Sequence, residues 1–169
     1  MILTPHAIVG VTLVNMFPNN LVLGFGLAFA SHYILDMIPH TDYDISGLFD
    51  EDEKTIRSVF KHTKAALQFL FIVFDFVFAI YLSLLFFVRD ENSLIVTLVG
   101  LIGALLPDFL RLLYYKYNPQ LRKFLHIHVA HHDEIQNHVT DDKNAKLWGA
   151  LYQFLVPILF LVIYLIIKI

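Results

Sequence analysis

Charge is missing from this chain over stretches long enough to decide what it can fold into. No Asp, Glu, Lys or Arg occurs before Asp36, Ala65 to Val88 holds only Asp75, and Leu147 to Ile167 holds none. A helix needs about 20 such residues to cross the hydrocarbon of a bilayer. Leu94 to Tyr115 is a third candidate, interrupted late by Asp108 and Arg111. The whole chain is 57% apolar and 16% charged, where soluble domains run near 45–50% and about 25%. Lipid, rather than water, is the expected surrounding.

The uncharged start is divided by Pro18-Asn19-Asn20. The pieces hold about 15 and about 18 residues, and the first is marginal for a span. A helical hairpin with a short or tilted first arm is expected. A cleaved signal peptide is not, because a basic n-region is lacking and apolar character continues past the break. The expected fold is therefore all-α: a polytopic membrane bundle of about five helices, near 3–17, 20–38, 65–88, 94–115 and 147–168. It forms one integral membrane domain over 1–169, with His-rich loops at 39–64 and 116–146. Threaded alternately, one side receives ten of the twelve Lys and Arg residues, leaving Arg89 and Lys168 opposite. Basic residues collect on the cytoplasmic side. The N-terminus and both His-rich loops are expected there, in an inner membrane.

Other global features exclude more than they assign. The chain has no cysteine, so disulfides and thiolate metal sites are ruled out. A net charge of −3 and no Gly-rich phosphate loop give no reason to expect a nucleic-acid partner. The acidic run Asp50 to Glu53, followed by Lys54, Arg57, Lys61 and Lys64, reads as a solvated helix at the membrane surface. Gly24 and Ala28, Gly26 and Ala30, and Gly100 and Ala104 are small residues four apart, a spacing that lets membrane helices approach closely. Contact between the second and fourth helices would carry His32 and Asp36 toward Asp108.

All nine histidines fall on one side of the threaded membrane, most of them in two segments. In the first, His32 and Asp36 are four apart and share a helix face. Pro39 then ends or kinks the helix, and the chain beyond delivers His40, Asp42 and Asp44. An acid near the end of an uncharged helix calls for a partner. A His that caps the helix, with Asp36 in the headgroup region, accounts for the pair about as well as a metal does. The second segment places His126, His128, His131 and His132 within seven residues. Imidazole is a common metal ligand near neutral pH, and packing alone rarely asks for such density. A solvated surface helix is the alternative. Asp133 and Glu134 follow at once and suit a ligand-orienting or general-base role.

Leu106-Pro107-Asp108 adds an intramembrane acid that either joins a metal site or pairs with Arg111 three residues on. His6 follows Thr4-Pro5 at a helix start and lies on the same side. Asp75, between Phe74 and Phe76, must be protonated or paired inside the bundle, with no partner evident from sequence. His62 and His138 lie in polar loops and are expected to face solvent.

The run His32-x-x-x-Asp36-x-x-Pro39-His40 resembles a segment of the zinc-dependent phospholipases C and related single-strand nucleases. The wider layout has an early His in a short apolar helix, Ser-His-x-x-x-Asp ending the next, and Pro-Asp in a later one. That layout is similar to a bacterial inner-membrane family described as LexA-regulated metal-dependent hydrolases. The resemblance implies that His32 and Asp36 bind metal, with the carboxylate shared between two ions, and that His6, His40 and Asp108 are further ligands. It departs from the soluble phospholipases in lacking their His-x-x-x-Glu pair, offering His128-x-x-x-His132 instead, and in beginning with Met1 where they have a ligating Trp.

The full expected ligand set is His6, His32, Asp36, His40, Asp42, Asp108, His128, His131 and His132, with Asp133 and Glu134 catalytic and Arg122 and Lys123 steering phosphate. His and Asp without Cys suit zinc, iron or manganese. Zinc fits hydrolysis, because it brings the pKa of a bound water to ~7. Hydrolysis of a phosphoester, carried by a membrane lipid at the cytoplasmic interface, is the leading expectation. A His-box di-iron oxidase or desaturase also fits His128-x-x-His131-His132, though such enzymes use several boxes. Non-catalytic metal binding or transport is the third class.

Overall fold

The shortest apolar stretch lies at the centre of the protein. Helix α1 (Leu3–Met16) is apolar on nearly every side, and a helix with no polar face is stable only when enclosed. Pro5 through Thr12, Val14 and Asn15 are all buried. Around it stand α2 (Leu21–Asp36), α3 (Thr63–Phe87), α4 (Glu91–Lys116) and α6 (Lys143–Lys168), each in contact with it, while α5 (Pro119–Asn137) packs on α4 and α2. At 1.5 Å per residue, the 14 residues of α1 extend about 21 Å, short of the ~30 Å hydrocarbon core. This length suits a buried core helix, which is how α1 is used.

The computed structural model describes residues 2–38, 40, 43, 49–50, 55–56, 63–116, 119–137 and 143–168. Six helices form an all-α bundle among these residues. The only strand pairing among them is the two-residue contact of Phe49–Asp50 with Thr55–Ile56. Three helical stretches, Thr63–Phe87, Glu91–Tyr114 and Leu147–Ile167, are long and apolar enough to cross a membrane. Their outward faces carry exposed Leu, Phe, Ile and Val side chains, including Phe71, Phe74, Phe154 and Ile158, a surface suited to contact with lipid. The helix count exceeds the expected five because the 116–146 segment contains α5.

Local signals set the helix ends. Asn20 caps α2, its side chain accepting from Leu23 N–H at 3.1 Å. Asp90 and Ser93 form a reciprocal capping pair at the start of α4, Asp90 Oδ1 accepting from Ser93 N–H and Ser93 Oγ from Asp90 N–H, at 2.7 and 2.8 Å. The start of α1 has no cap of its own, and its orphan N–H groups need partners. They find Asp75, on α3. Its Oδ2 accepts from Leu3 N–H at 2.6 Å and Thr4 N–H at 3.3 Å, and the Thr4 and Tyr43 hydroxyls donate to the same carboxylate. An acid at a helix N-terminus is favoured by the helix dipole. The intramembrane acid without an evident partner is thus the cap of the central helix.

Close approach of α1, α2 and α4 depends on glycine. A Cβ on Gly10 would stand 2.5 Å from the Ala104 Cβ, and one on Gly100 would stand 2.7 Å from the Val11 Cα. Of the small-residue pairs, Gly24 and Gly100 serve contacts with α1, Ala28 meets Gly10 and Gly103, and Gly26 faces open space. Helices α2 and α4 do meet, at Ala28 and Gly103. Phe87 and Tyr164 rings pack with centroids 4.6 Å apart, in one core cluster with Ala7, Ile8, Val11, Ala79 and Leu101.

Candidate metal centre

On α2 the residues facing inward are Gly24, Ala28, Ser31, His32, Leu35 and Asp36, a single stripe at helical spacing. The stripe that packs the helix therefore also aims His32 and Asp36 at α1 and α4. Among the α5 side chains described, the buried ones are Leu125, Val129 and His132, again one face. His132 enters the protein because it continues an apolar stripe. His126 and His131 lie outside it and are exposed.

Four elements converge. His6 of α1 and His32 stack with ring centroids 4.0 Å apart. Asp36 divides its two oxygens between two groups of imidazoles. Its Oδ1 stands 3.2 Å from His6 Nε2 and 3.9 Å from His40 Nε2, and its Oδ2 stands 3.2 Å from His32 Nε2 and 3.4 Å from His132 Nε2. Asp108 of α4 brings Oδ1 to 3.7 Å from His32 Nε2 and 3.4 Å from His132 Nε2. His6, His32, Asp36 and His132 are buried, whereas the Asp108 side chain is 27% exposed. The cluster is open on the Asp108 side.

The tautomers follow from the neighbours. His32 Nδ1 lies 2.7 Å from the Ala104 carbonyl and His40 Nδ1 lies 2.6 Å from the Ile38 carbonyl. A carbonyl only accepts, so each Nδ1 carries its proton and donates it. The neutral ring then turns its Nε2 lone pair to the cluster. This is the outer hydrogen bond that orients metal-ligating histidines. His32 Nε2 meets His132 Nε2 at 3.2 Å, beside two carboxylate oxygens. So many acceptors facing one another repel unless a proton or a metal cation lies among them, and buried carboxylates are costly unless paired.

A tetrahedral ion with bonds of ~2.0–2.1 Å separates its ligand atoms by roughly 3.3–3.4 Å. Five of the six separations among His32 Nε2, His132 Nε2, Asp36 Oδ2 and Asp108 Oδ1 are 3.2, 3.2, 3.4, 3.4 and 3.7 Å, and His32, Asp108 and His132 form one group of ligand atoms within 4.8 Å of one another. His6, His32 and Asp36 form a second group whose atoms lie within 4.8 Å of one another. Either group could hold a metal ion.

Not every expected residue is brought here. His128 stands beside the cluster with both nitrogens engaged. Nε2–H donates to the Pro107 carbonyl at 3.1 Å and Nδ1 accepts from the Tyr33 hydroxyl at 2.7 Å. Burial pushes its imidazole below the ordinary value. His131 is exposed and packs its ring near Tyr33. Glu134 and Lys123 are exposed on α5. Asp42, His62 and His138, and the side chains of Arg122 and Asp133, lie outside the described residues. The one functional group sequence reasoning underused is Asp75, and the signal available was the uncapped start of α1.

Depth also differs from a site at the very end of the bundle. Leu3 is level with Asp75, the middle residue of α3, so α3 continues twelve residues, about 18 Å, beyond the start of α1. The cluster lies one turn further in, at His6. No protein-family model, curated protein or solved structure matches this chain.

Proposed function

We propose that this protein is a membrane-embedded metal-dependent hydrolase acting on a phosphoester, with zinc as its ion. The observation that carries the reading is the set of facing acceptors, in which His32 Nε2 and His132 Nε2 each lie 3.2–3.7 Å from the other and from Asp36 Oδ2 and Asp108 Oδ1. A bound zinc supplies Lewis acidity and an acidified water at neutral pH. The chain's residues do the rest. His32 and His40 are held by carbonyls in the tautomer that presents Nε2, Asp36 joins the two imidazole groups, and Asp108 marks the side from which a substrate approaches.

A site surrounded by apolar helices and placed below the end of α3 favours a substrate carried by a lipid over one dissolved in water. The bias of ten basic residues to two supports an orientation with this end cytoplasmic, in a bacterial inner membrane. Similarity of the His32 to His40 run to zinc phospholipases C supports the phosphoester. Of the His-box that would suit a di-iron oxidase, His132 alone reaches the cluster, so that reading has less support.

Metal analysis of protein purified without added metal comes first, followed by a panel of lipid and soluble phosphoesters, with Asp36→Asn as control. Near-stoichiometric zinc and turnover lost in the control are expected. Wild-type protein with no metal, or with turnover equal to the control across the panel, would sink the hydrolase reading.

A further inference from the structure

A cleft of about 560 Å³ opens beside the first half of α3, apart from the histidine cluster, within the usual size range of ligand sites. One wall is Leu67, Gln68, Phe71 and Phe74, whose three apolar side chains are 53, 68 and 67% exposed on a helix that can cross a membrane. The facing wall is Ile2 and Tyr43. Lys64, exposed, stands at one end, and Asp75 closes the other.

We propose that this cleft binds one phospholipid of the surrounding bilayer, with its anionic headgroup at Lys64 and an acyl chain along Leu67, Phe71 and Phe74. Three observations carry the assignment. Lys64 is the last basic residue before a stretch, Ala65 to Val88, whose only charge is Asp75, so it stands where hydrocarbon meets headgroups. From Lys64 to Asp75 the helix runs about 16 Å, long enough to lay an acyl chain along it. At the deep end the Asp75 carboxylate already accepts from Leu3, Thr4 and Tyr43. The bottom of the cleft thus asks nothing polar of its ligand, as a chain terminus requires. Lys64 itself selects the headgroup, since a basic residue near a membrane surface adds attraction for anionic lipid.

The assignment needs neither a bound metal nor turnover. Its test is photo-crosslinking of the full chain in nanodiscs with phosphatidylglycerol or phosphatidylcholine bearing a diazirine on one acyl chain. Adducts on Leu67 to Phe74 are expected to exceed those on Phe154 to Ile158 of α6, which is similarly exposed, and to favour phosphatidylglycerol. Lys64→Gln is expected to reduce phosphatidylglycerol adducts in the cleft about fivefold, the effect of one lysine near an anionic surface, leaving α6 adducts unchanged. Leu67→Trp, which narrows the cleft, is expected to reduce adducts from both lipids. Equal labelling of cleft and α6, indifference to Lys64→Gln, or protein in place of lipid at these positions would overturn the proposal. Metal content measured on the same samples reads the histidine cluster separately.

Discussion

Two segments of this protein are rich in histidine, and the sparser one supplies more of the site. The end of α2 has His32 and Asp36, and both are buried in the cluster. On α5 four histidines lie within seven residues, yet His132 alone reaches it. The difference lies in what shares the helix face. His32 and Asp36 continue the stripe of Gly24 and Ala28 that packs α2 against the core, and His132 continues Leu125 and Val129. His126 and His131 fall on the outer face. Local density of ligand-type residues says that a metal is plausible, and the packing face decides which of them meet it.

The largest expected contrast is in metal content. Asp36→Asn keeps the size of the side chain and removes the charge that both imidazole groups face, so bound metal is expected to fall well beyond the ~10–100-fold typical of losing an outer partner. His132→Ala should act in the same direction, and the paired variant His126→Ala/His131→Ala should leave metal at wild-type level. Metal analysis of the three, after confirming helicity, checks this. If the exposed pair depletes metal as much as Asp36→Asn does, the distinction between the two faces of α5 is wrong. If metal is absent throughout, the cluster is a protonated imidazole and carboxylate network.

A second contrast tests what holds α1 in place. Asp75→Asn weakens the hydrogen bonds from Leu3, Thr4 and Tyr43 and removes a charge favoured by the α1 dipole. A loss of about 1.5–3 kcal/mol is expected, the range for hydrogen bonds to a charged group. Burial, and after it the hydrogen bond to Asp75, push the Tyr43 phenol above its ordinary range. In Asp75→Asn the Tyr43 absorbance titration should therefore shift back toward ordinary tyrosine. Unchanged stability and an unchanged titration would show that α1 does not depend on this cap.

The smallest expected effect is on His128. Its folded-state pKa is lowered, chiefly by burial, so protonation favours the unfolded chain. Stability from this group is present above the ordinary imidazole value, ~6.5, and is lost as the pH falls through the lower folded value. Metal-depleted protein should lose thermal stability as the pH falls below ~6.5, and His128→Gln should make that loss shallower. A slope identical in the two proteins would remove His128 as a contributor.

From the sequence alone came the helical bundle, the three long spans, the pairing of His32 with Asp36 on one face and the candidacy of His6, His40 and Asp108. Each rests on a local rule: the length of hydrocarbon a helix must cross, the 3.6-residue repeat, or the cost of a charge in lipid. Tertiary structure decided that α1 is the enclosed centre, that Asp75 caps it, that α5 is a helix turning His132 inward, and that the cluster lies one turn further in than the middle of α3. These depend on which surfaces touch. An apolar helix too short to span carries no mark of its neighbours, and a half-buried acid finds its partner 72 positions away, where no periodicity reaches.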